Sequence, residues 1–381
     1  MRLARYEVTL EPRLAVPALY AVLAAIVAIA LALGLSSFLF LATETGVPAA
    51  YRAVFSYAFF NPHGFIATIH RSIFLMLCTF AFLVPLRAGL WNIGLPGQVY
   101  AGALAAFAVP RVLGAQDAGP PFFLPPELVV SLMVVAAAAA GAATGGLAGL
   151  LRARLAVNEI LVTMMLNSIL FWLVSYMIKE GGPLMGATAE GESYTLPPAL
   201  AAPLWWGVPF TAALALGAAV VLDLLFTKTP LGYRIRVLGA SPAAARYGGI
   251  NPVAVSLMVF LLGGAFAGLA GYHNFAAIPG VYKIPGNYGF YGDLAFYGII
   301  SALIARGSAL GAVPIAVLFA GLSLGARFAQ GLLRLPFGVD YALLGLLMMT
   351  FVLSHVLYHY RLVWRRTVET SRPVPGTLSE G

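Results

Sequence analysis

Ten apolar runs, separated by polar or Pro- and Gly-rich segments, take up most of the chain: about 14–42, 65–86, 91–109, 126–150, 157–178, 205–226, 253–277, 293–305, 309–329 and 338–360. All but one are close to or above the roughly 20 residues that a helix needs to cross a hydrocarbon core. The run at 293–305 is short enough to be a half-helix or a re-entrant segment. The run at 14–42 is long enough to tilt or to continue outside the membrane, and far longer than the ~7–15 apolar residues of a signal peptide. It is expected to be a retained first span. The pattern predicts an all-α polytopic membrane protein of about ten transmembrane helices.

Composition agrees with this. The chain is 61% hydrophobic and 9% charged, against about 25% charged residues in a soluble domain. The transmembrane domain is expected to cover residues 1–366. The polar tail at 367–381, with Pro373 and Pro375, is expected to be disordered in the cytoplasm.

Orientation follows from the basic residues. With the N-terminus inside and ten spans alternating, all of the 22 Lys and Arg fall on the cytoplasmic side except Arg52, Arg71, Arg111, Lys179, Lys283, Arg327 and Arg334. This bias predicts an N-in, C-in topology with an even number of spans. The basic residues are scattered between apolar runs, so the net charge of +8 reflects orientation and contact with membrane lipid rather than a nucleic-acid surface. The single Cys78 lies inside an apolar run and is read as packing.

The outer loops at 43–64, 110–125 and 179–204, with their edges, carry prolines, glycines, aromatics and acids; they could form a rim for a soluble partner, but any one of these residues reads first as solvated loop. The longest inner loop, 227–252, contains a helix start. Ser241 is placed to cap it, Pro242 suits its first turn, and Gly248-Gly249 ends it. Such a short helix is not needed to connect two spans. It reads either as a membrane-surface helix held by Arg234, Arg236 and Arg246, or as a docking knob for a cytoplasmic protein. The small alanine face at Ala243, Ala244 and Ala245 favours the knob.

An N-x-G-x-x-G pattern occurs twice. The first holds Asn92, Gly94 and Gly97, followed by Gln98. The second holds Asn287, Gly289 and Gly292, followed by Asp293. Neither stands in the βαβ setting that a dinucleotide fingerprint requires. In the ten-span topology the first opens span 3 from the inside and the second opens span 8 from the outside. The halves would then be inverted 5+5 repeats, related by an axis in the membrane plane. Glycines permit irregular backbone, which a bilayer tolerates only where protein or a cavity surrounds it. Matching breaks in two halves point to a translocation path, and the structural alternative is close helix packing through small residues.

Asn158 and Glu159 open span 5, with Thr163 and Asn167 further in. Polar residues at depth usually face a bundle interior. Glu159 at the interface could equally pair with Arg152 or Arg154. No catalytic constellation is present, so the chain is not expected to be an enzyme. His63, His70, His273, His355 and His359 lack metal-spaced partners, and no cofactor or metal is expected. A phosphate-binding G-x-x-x-x-G-K-[ST] loop is also missing. Uphill transport would therefore draw on an ion gradient or on another subunit.

Four segments resemble the permease subunits of bacterial ABC importers, in the branched-chain amino acid and ribose permease family, and most of all its nucleoside and simple-sugar group. They are Arg87 to Gln98, Asn158 to Asn167, Thr229 to Ile250, and Gly263 to Gly271. They occur in the family's order over about 70–350. The resemblance implies an inner-membrane, multi-pass permease that does no chemistry of its own. It further implies a second permease subunit (a heterodimer), two cytoplasmic ATP-binding subunits and an extracytoplasmic substrate-binding lipoprotein. It places the contact with the ATPase on Gly239, Ala240, Ser241, Pro242, Ala243, Ala244, Ala245, Arg246 and Gly249. It places the substrate path along 92–98 and 158–167. Pro96 stands where relatives usually carry Glu, and that residue's role does not transfer. The cargo so implied is a neutral hydroxylated solute, a nucleoside first and a simple sugar second. An ion-coupled secondary transporter is the rival reading, with Glu159 and Asp293 as its only intramembrane acids.

Overall fold

The structure is a computed structural model that describes residues 6–12, 18–41, 46–114, 124–179, 181–187, 191–305, 307–336 and 338–366. The tail at 367–381 lies outside the described residues. The chain divides into two compact units. One holds residues 1–36 and 345–381, the other residues 37–344.

In the first unit, β1 (Tyr6–Pro12) pairs antiparallel with β4 (Tyr360–Arg366). The register sets Glu7 opposite Arg365 and Glu11 opposite Arg361. Helix α1 (Ala18–Leu41) begins in this unit and α13 (Val339–His359) ends in it. This sheet corrects the all-α expectation. Alternation of polar and apolar residues in Tyr-Glu-Val-Thr-Leu-Glu-Pro is a strand signal, but its pairing partner stands at the far end of the chain.

The second unit is a helical bundle. In chain order it holds α2 (Val47–Phe55), α3 (Pro62–Arg87), α4 (Leu95–Val112), α5 (Pro126–Leu155), α6 (Glu159–Ile178), α7 (Thr211–Lys228), α8 (Pro230–Ala240), α9 (Pro242–Tyr247), α10 (Pro252–Tyr272), α11 (Gly289–Ile304) and α12 (Ala309–Leu332). Short π-helical turns follow α2 at Ser56–Phe60 and α10 at His273–Ala277. Each apolar run of the sequence contains one of the longer helices. Among the described residues six helices (α3, α5, α6, α7, α10 with its π turn, and α12) are long and apolar enough to cross a membrane. Helix α11 and parts of α1 and α13 are apolar but shorter. A second sheet corrects the all-α expectation again. Strands β2 (Leu204–Trp205) and β3 (Val208–Pro209) form a hairpin whose two loop residues, Trp206 and Gly207, both have positive φ (50° and 81°), the geometry that a tight two-residue hairpin requires.

Helices α3 and α10 pack against each other at the centre. Every residue of α3 from Ser72 to Pro85 is buried. Helix α3 also packs on α11 and α12, while α10 packs on α4 and α5, and α4 touches α11. Exchanging α3 for α10, α4 for α11 and α5 for α12 leaves this pattern of neighbours unchanged. The tightest seam lies between α5 and α10. A Cβ on Gly264 would collide with the carbonyl of Gly141, and one on Gly268 with the carbonyl of Ala137. Only glycine lets the two backbones approach this closely, the mode by which apolar helices associate where the surroundings are equally apolar.

Residues 227–252 fold with two short helices rather than one. Thr229 caps α8, its hydroxyl accepting from Gly232 N at 3.1 Å, with Pro230 in the first turn. Ser241 caps α9 in the same way, accepting from Ala244 N at 3.2 Å, and Gly248 and Gly249 follow its end. Sequence reading places α9 and overlooks α8, although Thr229-Pro230 is the same signal as Ser241-Pro242.

Candidate functional site

Between α3 and α4 the chain turns without regular structure, and Asn92 holds that turn together. Its side chain and that of Gln98 exchange two hydrogen bonds, Asn92 Nδ2 donating to Gln98 Oε1 and Gln98 Nε2 to Asn92 Oδ1, both at 2.9 Å. Asn92 also donates to the Ala81 carbonyl (3.2 Å) and accepts from Gly94 N (3.3 Å). Both amides are buried, Asn92 at 0% and Gln98 at 1% exposure, so their polar atoms are satisfied by protein. Pro96 falls in the first turn of α4, where a missing N–H costs nothing.

Helix α6 is tied to the same turn by Asn167, which accepts from Gly97 N at 2.9 Å and donates to the Ile93 carbonyl at 3.0 Å. A Cβ on Gly97 would stand 2.9 Å from Asn167 Oδ1 and 3.0 Å from its Cα; one on Gly94 would stand 3.0 Å from Thr163 Cβ. The glycines of the first pattern thus admit α6 against the start of α4. At the head of α6, Asn158 caps the helix by accepting from Ile160 N at 2.9 Å. Glu159 pairs with Arg152 at 3.1 Å, one of the two partners open to it from sequence.

The second pattern is built differently. Asn287 is exposed in a turn, its carbonyl accepting from Phe290 N at 3.1 Å. Gly289 opens α11. Gly292 is buried against Tyr100 of α4, whose hydroxyl occupies the space a Cβ would take. Asp293 is exposed, and among the described residues no basic side chain pairs with it.

The two patterns meet across a cavity of about 350 Å³. Pro96 and Tyr100 from α4 form one wall, Asn167, Ser168, Phe171 and Trp172 from α6 a second, and Gly289, Gly292, Asp293 and Phe296 from α11 a third. Of the residues singled out from sequence, Asn167, Gly289, Gly292 and Asp293 line it. Asn92, Gly94, Gly97, Gln98, Asn158, Glu159, Thr163 and Asn287 do not line it. An aromatic group fixes its shape. Tyr100 stands 5.5 Å from Tyr288 and 6.2 Å from Phe171, ring centre to ring centre, and Tyr288 donates to the Phe171 carbonyl at 2.9 Å. Sequence reading missed Tyr100, Ser168, Phe171, Trp172 and Phe296. The available signal was spacing: Pro96/Tyr100, Asn167/Phe171 and Gly292/Phe296 are each four apart and share a helix face.

Residues 64–353 match the family model described as branched-chain amino acid transport system / permease component. The chain belongs to this family. The permease is 30% identical over 371 residues to a glucose ABC transporter permease of Haloferax volcanii, covering 93% of each chain. It is 29% identical over 316 residues to a guanosine ABC transporter permease of Bacillus subtilis, covering 79% of this chain and 84% of that one. It is 28% identical over 207 residues to a nucleoside ABC transporter permease of Lactococcus lactis, covering 52% and 55%. No solved structure matches it. The permease is thus an integral membrane transport protein rather than an enzyme. Among the described residues no group of three or more His, Cys, Asp and Glu side chains gathers to hold a metal.

Segment 239–249 lies on another face of the permease. Gly239 is wedged against the backbone of Arg87 at the end of α3, where only a hydrogen fits. Arg87 in turn donates to the Gly307 carbonyl at 2.8 Å and lies 5.1 Å over the Phe226 ring. Helix α9 turns Ala245 inward and leaves Pro242, Ala243, Ala244, Arg246 and Tyr247 exposed.

Proposed function

We propose that the permease is the membrane subunit of an ABC importer and carries a nucleoside through a path that includes the cavity between α4, α6 and α11. The observation that carries this reading is the cavity itself, where α4, which follows the first pattern, faces Gly289, Gly292 and Asp293 of the second. Aromatic faces at Tyr100, Phe171, Trp172 and Phe296 suit a flat base. Ser168, Asn167 and Asp293 offer hydrogen bonds to hydroxyls without a fixed counter-charge. In this reading Asn92, Gly94, Gly97, Gln98 and Thr163 hold the α4 wall. Asn158 and Glu159 set the start of α6, and Asn287 shapes the turn that opens α11. Likeness to a guanosine permease supports the base; likeness over more of both chains to a glucose permease favours a simple sugar as the second reading.

The topology that goes with it has ten crossings in two inverted halves of five, N-in and C-in. The exchange symmetry of the packing around α3 and α10 supports the repeat. Pairing of β1 with β4 holds the segment before α1 beside the segment after α13, which supports an even number of crossings. Energy comes from cytoplasmic ATPase subunits docked on Gly239 to Gly249. The wedge of Gly239 against Arg87 would carry motion of that knob into α3. A second permease subunit covers the exposed face of α6, where Met164, Met165 and Ile169 stand free. An extracytoplasmic binding lipoprotein delivers the solute to the outer loops.

Uptake in a strain lacking the permease tests the cargo. Labelled guanosine should enter only when the gene is restored, and excess ribose or glucose should not compete. Competition by sugar would replace the first reading by the second; unchanged uptake of all three would discard both.

A further inference from the structure

A second cavity, of about 490 Å³, lies away from the first. Its walls are mostly apolar, with Ile66 of α3, Leu294 of α11 and Leu324 of α12 among them. Five polar side chains, His63, His70, Arg71, Asn274 and Tyr291, line this apolar setting, and three of them, His70, Arg71 and Asn274, matter here.

Arg71 is in an unusual position for a membrane domain. It stands inside α3, donates Nη1 to Ser323 Oγ at 2.9 Å and lies 5.7 Å over the Phe290 ring. A guanidinium has five N–H donors, and among the described residues no carboxylate pairs with Arg71. Asp340, whose charge also acts on Arg71, stands 3.9 Å from Arg327, and Arg327 lies 4.0 Å over the same Phe290 ring. An unpaired cation in an apolar interior is costly and calls for a counter-anion.

Asn274 adds an independent observation. It is 3% exposed, and its Nδ2 has no hydrogen-bond partner in the protein. The π turn His273–Ala277 presents it, and that turn is itself well held. His273 meets Thr211 Oγ1 at 2.7 Å through Nδ1 and the His70 carbonyl at 2.9 Å through Nε2. His70 Nδ1, at 7% residue exposure, likewise has no protein partner. Buried polar groups left unpaired inside a well-packed protein are rare and mark a missing ligand or a functional site. One cavity here collects a guanidinium without an ion pair, an unpaired amide donor and an unpaired imidazole nitrogen.

We propose that this cavity is a binding site for a phosphate-type anion, with Arg71 as counter-ion, the Asn274 amide as second donor and the apolar walls receiving whatever the phosphate carries. The headgroup of an anionic lipid and free phosphate share this chemistry. The site is separate from the α4, α6 and α11 cavity and does not depend on which solute is transported.

The full-length permease in nanodiscs tests it, with transport playing no part in the readout. In one arm, discs hold phosphatidylcholine alone and inorganic phosphate is titrated while the thermal midpoint is followed. In the other, discs mix phosphatidylcholine with phosphatidylglycerol, and the lipid that stays with the protein is identified by native mass spectrometry. The wild type should be stabilised by phosphate or should retain phosphatidylglycerol preferentially; the first points to a free anion, the second to a lipid. Arg71→Gln should weaken whichever effect appears by roughly tenfold or more, the scale of a lost charge-assisted hydrogen bond. Arg71→Lys should keep part of it. Asn274→Asp, which preserves size and adds a negative charge, should weaken it comparably and can be read alone if Arg71→Gln does not fold. A wild type that responds to neither ligand, or variants that match the wild type in both arms, would overturn the proposal.

Discussion

The two N-x-G-x-x-G turns share a pattern and little else. In the first, Asn92 is fully buried and locked to Gln98, and the glycines are pressed against α6. In the second, Asn287 faces outward, and only Gly292 is pressed, against the hydroxyl of Tyr100. One turn is a clamp and the other an edge of the cavity. A repeated motif therefore preserves where the backbone must come close, while the polar residue beside it is free to take on different work. The difference has a physical cause. The Asn92 turn is enclosed by α3, α4 and α6, so each of its polar atoms needs a protein partner. The Asn287 turn is open, and water can serve.

The largest expected effect is at the pressed glycines. Gly97→Leu drives a side chain into the backbone of α6 and should cost about 3 kcal/mol, with loss of uptake. Gly292→Ala meets only the far end of Tyr100, which can give way, so it should cost about 1 kcal/mol yet still reduce uptake by narrowing the cavity. Thermal unfolding in detergent beside solute uptake separates the two, and equal stability losses would erase the distinction.

Next come the amides. Asn92→Leu and Gln98→Leu each strand a buried partner and should cost about 2 kcal/mol. The double variant should cost less than the sum, because one interaction is removed twice. Asn287→Leu should stay within about 0.5 kcal/mol. A cost at Asn287 equal to that at Asn92 would show that the two turns are alike after all.

Smaller in stability, and larger in transport, is Asp293→Asn. The carboxylate is exposed to the cavity and has no ion-pair partner among the described residues, so the melting point should hardly move. Uptake should fall roughly tenfold if the carboxylate accepts from a solute hydroxyl. The smallest effect is expected for Pro96→Ala. It changes only a first-turn residue of α4 and should alter stability by less than about 1 kcal/mol in a melting experiment.

Local features were readable in the chain. Ser241 and Pro242 begin α9, and Gly248 and Gly249 end it, because capping depends on neighbours a few residues away. The pairing of Glu159 with Arg152 was within reach for the same reason. Helix α8 was readable too, from Thr229 and Pro230, and was overlooked. Other features depend on residues far apart. Nothing near Tyr6–Pro12 announces that it pairs with Tyr360–Arg366. Tyr100, Phe171 and Trp172 sit in apolar helices where an aromatic facing lipid and one lining a cavity look the same.

The amino-acid sequence alone determined a membrane protein of apolar helices, the motifs that tie it to a permease family and the short helix that Ser241 and Pro242 begin. These follow from hydropathy, helix length and capping, which act over a single helix or loop. Only the tertiary structure decided which polar residues face a cavity and which face each other. Burial forces each polar atom to find a partner, and the identity of that partner depends on how α3, α4, α6 and α11 come together.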